Sequence, residues 1–335
     1  MKTIRIILIG IVCAGTMIAV SGSPVDIMIG ARAYGLGGAY VALANDPTAA
    51  YWNPSRLSYV EHITLMNSNW ILQDVEGMNV NYANLTVPIK HVGTISGGWL
   101  INHATLEYGE YDGNGDVIIK SNSANENQFS LSLGRKLFDE FLIFKKTSVG
   151  LSVNRYSFTT ETGNGAGLGF DVGISTEFPY GFSIGFNART LGAEFMGKLL
   201  NPELRWGIGY SQIIKEMHRI TVGVDGLYKM YRDYKDINTL EPTKGNIKGF
   251  AGLEYAFLYH DFEVAIRGGG NGMAWYNTIN NYSFTAGLGF KWLGYSLQYA
   301  FMGVTDRDAA LGYGHRVSLL LELDRLYLGQ KGKTK

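Results

Sequence analysis

The stretch Phe284-Thr-Ala-Gly-Leu-Gly-Phe-Lys291 decides the fold class, because its side chains alternate in character along the chain. Every second residue from Phe284 is Phe, Ala, Leu and Phe, whereas the residues between them are Thr, Gly, Gly and Lys. Successive side chains of a β-strand point to opposite faces of the sheet. The stretch therefore predicts a strand with one apolar face and one face of small or polar residues.

The same alternation recurs from residue 62 almost to the end of the chain. The alternating segments are about as long as the nine to eleven residues that a tilted strand needs to cross a bilayer. About fourteen strands are predicted, an even number that returns both ends of a barrel to the same side of the membrane. The predicted strands span residues 62–72, 78–88, 91–102, 124–136, 146–159, 166–178, 180–191, 203–213, 217–231, 246–258, 261–272, 281–291, 293–304 and 312–323.

The connections between these segments alternate between short and long. Pro88–His91 and Pro179–Gly181 are short, whereas 103–123 and 232–245 are long and polar. Outer-membrane barrels have short periplasmic turns and longer external loops. One connection departs from the alternation, since Phe138–Lys146 is long enough for a turn of interfacial helix.

An alternating pattern alone does not distinguish a strand that faces lipid from a strand in a secreted soluble sandwich. Here the second face is rich in Gly, Ser, Asn and Thr, whereas the solvent face of a soluble sheet carries many charges. Aromatic residues also gather near the predicted strand ends, where interfacial girdles lie in membrane barrels. The sequence therefore predicts an all-β fold, a transmembrane antiparallel barrel in contact with the lipid of a bacterial outer membrane.

The first residues of the chain have the pattern of a secretory signal. Met1–Arg5 is positively charged, Ile6–Val20 is apolar, and small residues follow. We expect residues 1–21 to be the signal peptide. The single cysteine, Cys13, lies within it, so the mature chain is expected to contain no disulfide.

Composition and motifs argue against several classes of function. Lys+Arg and Asp+Glu are both 29, so no net positive charge attracts nucleic acid. The six histidines have no zinc-ligand spacing, and Gly-x-Ser-x-Gly is absent, so neither an enzyme nor a cofactor is expected. Asp112-Gly-Asn-Gly-Asp116 suits calcium in part, but Val117 and Ser123 stand at the sixth and twelfth positions, and a hairpin turn is the preferred interpretation.

Residues 24–58 do not alternate. The run from Arg32 to Ala44 is rich in small residues, and its glycines lack the spacing of a phosphate-binding loop because Tyr40 stands where the third would be. Such a segment before the first strand is expected to fold back into the lumen as a plug. The expected organisation is a signal peptide (1–21), an N-terminal hatch (22–60), a barrel (61–324) and a periplasmic tail (325–335).

Two parts of the sequence resemble known families. Residues Gly30–Leu57 resemble the opening of the PorV/PorQ family of outer-membrane proteins and are similar to the hatch of the wider FadL-like transporters. Ser55 and Arg56 stand where those transporters usually have Ala and Gly. The second part, Gly312-Tyr-Gly-His-Arg-Val-Ser318, is similar to the closing strand of the PorV/PorQ family. The matching hatch residues are Arg32, Gly35, Gly37, Gly38, Asp46, Asn53 and Pro54, and those of the closing strand are Gly312, His315, Arg316 and Ser318.

The resemblance implies a fourteen-strand barrel with an N-terminal hatch and no enzymatic activity. A PorV/PorQ-like protein would support protein export or cargo attachment at the cell surface, with secreted cargo proteins or subunits of a secretion machinery as partners. The alternative implied by the FadL-like resemblance is a channel for hydrophobic small molecules or long-chain fatty acids.

Six charged residues fall on the less apolar faces of the predicted strands and would point into the barrel. A structural network that holds the plug against the wall is preferred for them over a substrate path, with Arg32 as the natural partner of the acids. These residues are Asp171, Arg189, Asp225, Glu254, Glu263 and Arg267.

Overall fold

Fourteen antiparallel strands form a closed ring in the computed structural model, which describes residues 27–72, 78–111, 117–141, 143–160, 163–195, 198–232, 242–275, 278–304 and 314–326. The barrel strands are β1 (Thr64–Leu72), β2 (Met78–Ile89), β3 (Gly93–Tyr111), β4 (Val117–Phe141), β5 (Phe144–Thr160), β6 (Gly163–Glu177), β7 (Phe182–Leu191), β10 (Glu203–Ile214), β11 (His218–Arg232), β12 (Pro242–Tyr259), β13 (Phe262–Trp275), β14 (Thr278–Trp292), β15 (Tyr295–Val304) and β16 (Gly314–Glu322). Between β7 and β10 the short strands β8 (Glu194–Phe195) and β9 (Lys198–Leu199) form a separate hairpin. The predicted fold class and strand number are confirmed.

Each barrel strand pairs with its neighbours in chain order, and the ring closes where β1 pairs with β16. At this closure Ser68 lies opposite Ser318 in an antiparallel register that runs from Thr64↔Glu322 to Leu72↔Gly314. Because a closed ring leaves no edge strand, the backbone N–H and C=O groups of the wall are paired between strands.

Burial along the strands follows the alternation that the sequence predicts. On β5, Leu151 and Val153 are exposed, whereas Ser152 and Asn154 are buried. The exposed face of the isolated chain is thus the apolar one. This is the arrangement of a wall that contacts lipid outside and encloses a polar interior.

Two connections differ from the sequence-based expectation. The strands β3 and β4 extend to Tyr111 and back from Val117, through most of the segment 103–123 that was expected to be a loop. The expectation of a helix turn within Phe138–Lys146 is wrong, because β4 continues to Phe141 and pairs with β5 from Phe144. Backbone pairing continues in these hairpins beyond the alternating pattern, which is why the pattern alone did not reveal it.

The expected signal peptide (1–21), the candidate calcium loop (112–116) and Gly312 lie outside the described residues. Among the residues that are described, no helix is long and apolar enough to span a membrane.

The chain before β1 folds into short helical turns: α1 (Ala31–Gly35), α2 (Ala49–Trp52) and a 3-10 helix over Pro54–Tyr59. The first of these contacts β13–β16, whereas the 3-10 helix contacts β3–β6. These two sets of strands lie apart in the ring, and the segment meets the faces opposite to the exposed apolar side chains. Most side chains from Ile27 to Val60 are buried.

Small residues allow the segment to approach the wall closely. A Cβ atom added to Gly150 of β5 would lie 2.2 Å from the carbonyl carbon of Pro54, and one added to Gly37 would lie 2.4 Å from the backbone nitrogen of Gly270. Gly37 also has a φ of +66°, a conformation that favours glycine. Backbone therefore packs on backbone, which explains the small-residue composition of both partners.

The outward face gives a direct stability prediction at Leu288, which is 57% exposed and lies in the middle part of β14. Leu288→Arg should destabilise the barrel by about 2–4 kcal/mol if the site lies at the bilayer midplane, because a charge on the lipid face is costly there. Urea unfolding in lipid vesicles would measure it. The matched control is Leu288→Met, which keeps an apolar side chain and should change the free energy of unfolding by less than about 1.5 kcal/mol; equal losses for the two variants would contradict the face assignment.

Candidate functional site

A cluster of buried charges joins the N-terminal segment to the wall at Glu254 of β12. The Arg32 Nη2 and Nε atoms each lie 2.9 Å from a different carboxylate oxygen of Glu254, so the two side chains form a bidentate pair. Arg219 Nη2 also lies 3.2 Å from Glu254, and Arg267 Nε lies 2.6 Å from it. Three guanidinium groups therefore surround one carboxylate.

The second acid of this cluster is Glu263, which pairs with Arg219. Burial works against the charge of Arg32, but the Glu254 carboxylate outweighs it, and the pKa of Arg32 lies well above its usual value. Three cations and two carboxylates thus meet where the segment touches β11–β13. The bidentate pair between Arg32 and Glu254 therefore ties the segment to β12 through two charged hydrogen bonds.

Beside this cluster, Tyr40 connects two parts of the segment. Its hydroxyl donates to Asp46 Oδ2 at 2.8 Å, and burial raises the pKa of the Tyr40 hydroxyl far above its ordinary value, so it stays protonated. The other oxygen of Asp46 accepts hydrogen bonds from the backbone N–H and the hydroxyl of Thr48. Asp46 therefore shapes the turn that leads into α2.

A second anchor uses the backbone of the segment. The Oδ2 atom of Asp225 on β11 accepts hydrogen bonds from the backbone N–H groups of Tyr40, at 2.6 Å, and Val41, at 2.8 Å. Asp225 is buried. Two backbone N–H groups that donate to one buried oxygen fix the position of the main chain at this point.

The Asn53-Pro54 turn makes the third anchor. The Asn53 side-chain amide donates to the carbonyl oxygens of Val41, at 3.1 Å, and Ile174 of β6, at 3.3 Å, while its oxygen accepts from the N–H of Ser55. The Ser55 hydroxyl lies 2.9 Å from that of Ser175 on β6. The asparagine thus joins two turns of the segment to one strand of the wall.

Arg56, one of the two departures from the FadL-like sequence, also has partners. Its Nε donates to the Ala44 carbonyl at 2.9 Å, its guanidinium lies 3.5 Å from the ring centroid of Tyr59, and Nη1 lies 3.4 Å from Glu177. The Arg56 side chain therefore ties the 3-10 helix back to the preceding turn.

Asp171 of β6 and Arg189 of β7 form a separate buried group. Arg189 Nε lies 3.9 Å from Asp171, Arg189 Nη1 lies 3.4 Å from Glu203, and the Arg189 guanidinium is 3.9 Å from the ring centroid of Tyr51. The six predicted inward charges are therefore divided: Glu254, Glu263 and Arg267 belong to the cluster around Arg32 and Arg219, Asp171 and Arg189 pair with each other, and Asp225 binds the backbone.

The closing strand presents its motif to both faces. His315 lies on the outer side, where its ring nitrogen is 2.6 Å from the Tyr299 hydroxyl, whereas the Ser318 hydroxyl is buried and accepts from the N–H of Ala31. Arg316 is fully buried, about 5 Å from the ring centroids of Tyr34 and Trp70. Among the described residues its guanidinium makes no hydrogen bond or ion pair.

Sequence reasoning missed two members of these clusters, Arg219 and Glu203. Both had a usable signal: Arg219 lies on the same strand face as Asp225, six residues away, and Glu203 lies opposite Arg189 in register. Extending the alternating pattern to the ends of the strands would have placed both residues among the predicted inward charges.

One polar cavity of about 450 Å³ lies where the first strand begins and the last strand ends. Arg32, Arg219, Glu263 and Arg267 line it, together with Lys291 and Glu322, which pair with each other. The charged anchor of the segment thus borders this cavity directly.

The fold is similar to those of solved outer-membrane transporters. The toluene transporter TodX of Pseudomonas putida superposes with a TM-score of 0.58 at 9% identity, over 88% of this chain and 98% of that one. The toluene transporter TbuX of Ralstonia pickettii gives 0.56 at 11% identity, over 88% and 97%. A FadL homologue of Pseudomonas aeruginosa gives 0.53 at 10% identity, over 88% and 98%. No family model matches the sequence, and no curated protein matches it.

The closed fourteen-strand ring, its apolar outer face and these neighbours agree on one location. The chain is a β-barrel of the bacterial outer membrane. The structural neighbours are FadL-type barrels, whereas the likeness to PorV/PorQ rests on the two sequence motifs alone.

Arg32→Met tests the charged anchor. The variant should keep the barrel closed, because the strand ladder does not depend on Arg32, but it should weaken the attachment of residues 27–60 by roughly 1.5–3 kcal/mol, the range for a charged hydrogen bond. Hydrogen exchange of the segment would show this as faster exchange of its amides, with the strand amides unchanged. The matched control is the exposed Arg135: if Arg135→Met accelerates exchange in the segment as much as Arg32→Met does, the anchor assignment is wrong.

Proposed function

We propose that the chain is a channel for hydrophobic small molecules, in which residues 27–60 act as a movable hatch. The observation that carries this proposal is the position of the segment, which contacts β13–β16 at one end and β3–β6 at the other. Solved barrels of similar fold are described as a toluene transporter and a monoaromatic hydrocarbon channel. A solute that crosses the ring must therefore pass the segment.

The anchors are suited to a segment that moves as a unit. Besides Glu254, Asp225 and the Asn53 turn, side chains of the wall bond the backbone of the segment at Gly35, Gly37, Ala42 and Trp52, and small residues pack closely between these points. These polar contacts involve side chains of the wall, so their loss would free the segment without breaking a backbone hydrogen bond between barrel strands. Hatch movement and barrel stability are thus separable.

The apolar contact between the segment and the wall would account for a preference for apolar solutes. Tyr51 and Trp52 of α2 belong to a buried apolar cluster that includes Val80, Tyr82 and Leu100 of β2 and β3. Displacement of the segment would uncover this aromatic and aliphatic surface. An apolar solute would then replace the lost contacts, whereas a strongly hydrated one would not.

The second candidate is export or cargo attachment at the cell surface, as the PorV/PorQ resemblance implies, with secreted proteins or secretion subunits as partners. The observation that favours it is the filled interior: the ring closes between β1 and β16, and the cavity at the segment is lined mainly by charged and polar groups. In this alternative the segment is a fixed plug and the external loops bind the partner.

A disulfide lock separates the two candidates. The Ser55 and Ser175 hydroxyls are 2.9 Å apart, and the only cysteine of the chain lies at position 13, within the expected signal peptide. Ser55→Cys combined with Ser175→Cys should allow a disulfide that fixes the 3-10 helix to β6. For a channel, oxidation of the double variant should reduce toluene uptake into proteoliposomes about tenfold or more, and reduction should restore it.

Each single-cysteine variant is the control, since it cannot form the lock and should transport toluene in both redox states. Uptake by the oxidised double variant that equals uptake by the controls would contradict the moving hatch. Toluene uptake that never exceeds that of empty vesicles, together with surface cargo that decreases when the barrel is deleted from cells, would instead establish the second candidate.

A further inference from the structure

The outer wall carries an apolar groove of about 680 Å³ across β1–β6. Its floor is made by small residues, Ala83 and Gly97, and its sides by large exposed apolar side chains. The large side chains are Leu65, Leu85, Trp99, Phe129, Leu131, Val153 and Leu168. On a barrel in the outer membrane, this face contacts lipid.

The groove exists because position 97 has no side chain. A Cβ atom added to Gly97 would meet no other heavy atom within 4 Å, so the space above it is open. Beside it, Trp99 and Phe129 stack with ring centroids 5.1 Å apart and planes 16° from parallel. The stacked rings form a flat wall along the depression, suited to a linear apolar chain.

One end of the groove coincides with a change from apolar to polar side chains on the outer face. On β4 this face continues from Leu131 and Phe129 to Asn127, which accepts a hydrogen bond from the Trp99 indole at 3.1 Å. On β1 and β2 it continues from Leu65 and Leu85 to a group of asparagines. Asn67, Asn69 and Asn81 are hydrogen-bonded to one another.

Arg155 lies at this polar boundary. It lines the groove on the same outer face as Leu151 and Val153, and its cross-strand neighbours are Phe129 and Leu168. Within the described part of the chain, no ion pair to Arg155 is present, since each of the pairs found involves other residues. A guanidinium among apolar side chains favours an anionic partner at the membrane interface.

We propose that this groove is a binding site for an anionic phospholipid, with one acyl chain along the Gly97 floor and the phosphate on Arg155. The planar guanidinium presents paired N–H donors that match phosphate oxygens. On the neighbouring strand β4, the side-chain amide of Asn127 lies near Arg155 and supplies a donor for an ester or glycerol oxygen. A free phosphate would not use the apolar groove, and a neutral acyl compound would not use Arg155, so both halves of the site together define the ligand.

The experiment uses the full chain in phosphatidylcholine vesicles that contain a minor fraction of phosphatidylglycerol with brominated acyl chains, which quench nearby tryptophans. The Trp99 contribution is obtained by difference from Trp99→Phe. Quenching of Trp99 should correspond to a local phosphatidylglycerol concentration about fivefold above the bulk, the enrichment that one basic residue gives at a membrane surface. Arg155→Gln should bring quenching back to the bulk value.

Gly97→Leu fills the groove and should reduce quenching of Trp99 by brominated lipid of either head group. Its control is Gly249→Leu on β12, where an added Cβ is equally unobstructed but lies far from the groove in the ring. The gel shift between unheated and boiled samples shows that each variant is folded. Quenching in wild type that follows the bulk fraction and does not change in Arg155→Gln overturns the proposal. Preferential displacement of the brominated lipid by a phosphorylated glycolipid would also overturn it, because the occupant would then not be a phospholipid.

Discussion

The hydrogen bonding of the wall is the constraint on which the rest of this structure depends. In hydrocarbon, no water is present to pair with an open strand edge, so the sheet must close on itself. Closure occurs between β1 and β16, and it fixes the number of strands and the space inside them. The segment before β1 contacts the strands of this ring on the faces opposite to the exposed apolar side chains, so its packing must suit those faces.

The fit is achieved in two ways. Where the segment and the wall are in closest contact, glycines on either side let backbone approach backbone, as at Gly150 and Gly37. At the anchors, the enclosed polar groups have complementary partners. Guanidinium groups pair with the Glu254 carboxylate, and an aspartate on β11 accepts hydrogen bonds from backbone N–H groups. Most of the large apolar side chains of the strands face outward. The wall thus has apolar side chains outside and polar side chains inside, the reverse of a soluble protein. Ion pairs therefore contribute to holding the segment against the barrel.

Much of the wall could be predicted from sequence, because its alternation is a direct consequence of strand geometry. The alternation around Leu288 gave the strand and its faces, and the inward charges Asp171, Asp225 and Glu254 followed from it. What could not be predicted depends on which strands are neighbours across the ring. Nothing in the sequence near Arg32 indicates that Glu254, rather than Asp171, is its partner, since that choice is made by barrel closure. The hairpin extensions of β3 and β4 were missed because backbone pairing continues there without an apolar face.

The N–H of Ala31 donates to the hydroxyl of Ser318, so one of the earliest described residues is bonded to the last strand of the barrel. That contact has a consequence for the order of assembly. Sequence separations of this size make folding slow, because distant parts of the chain must find each other before either is stabilised. In the proposed hatch arrangement, the segment has to be in place when β16 meets β1, because a closed wall would exclude it. Barrel closure and enclosure of the proposed hatch would then be a single final step, and it would require both the segment before β1 and the last strand.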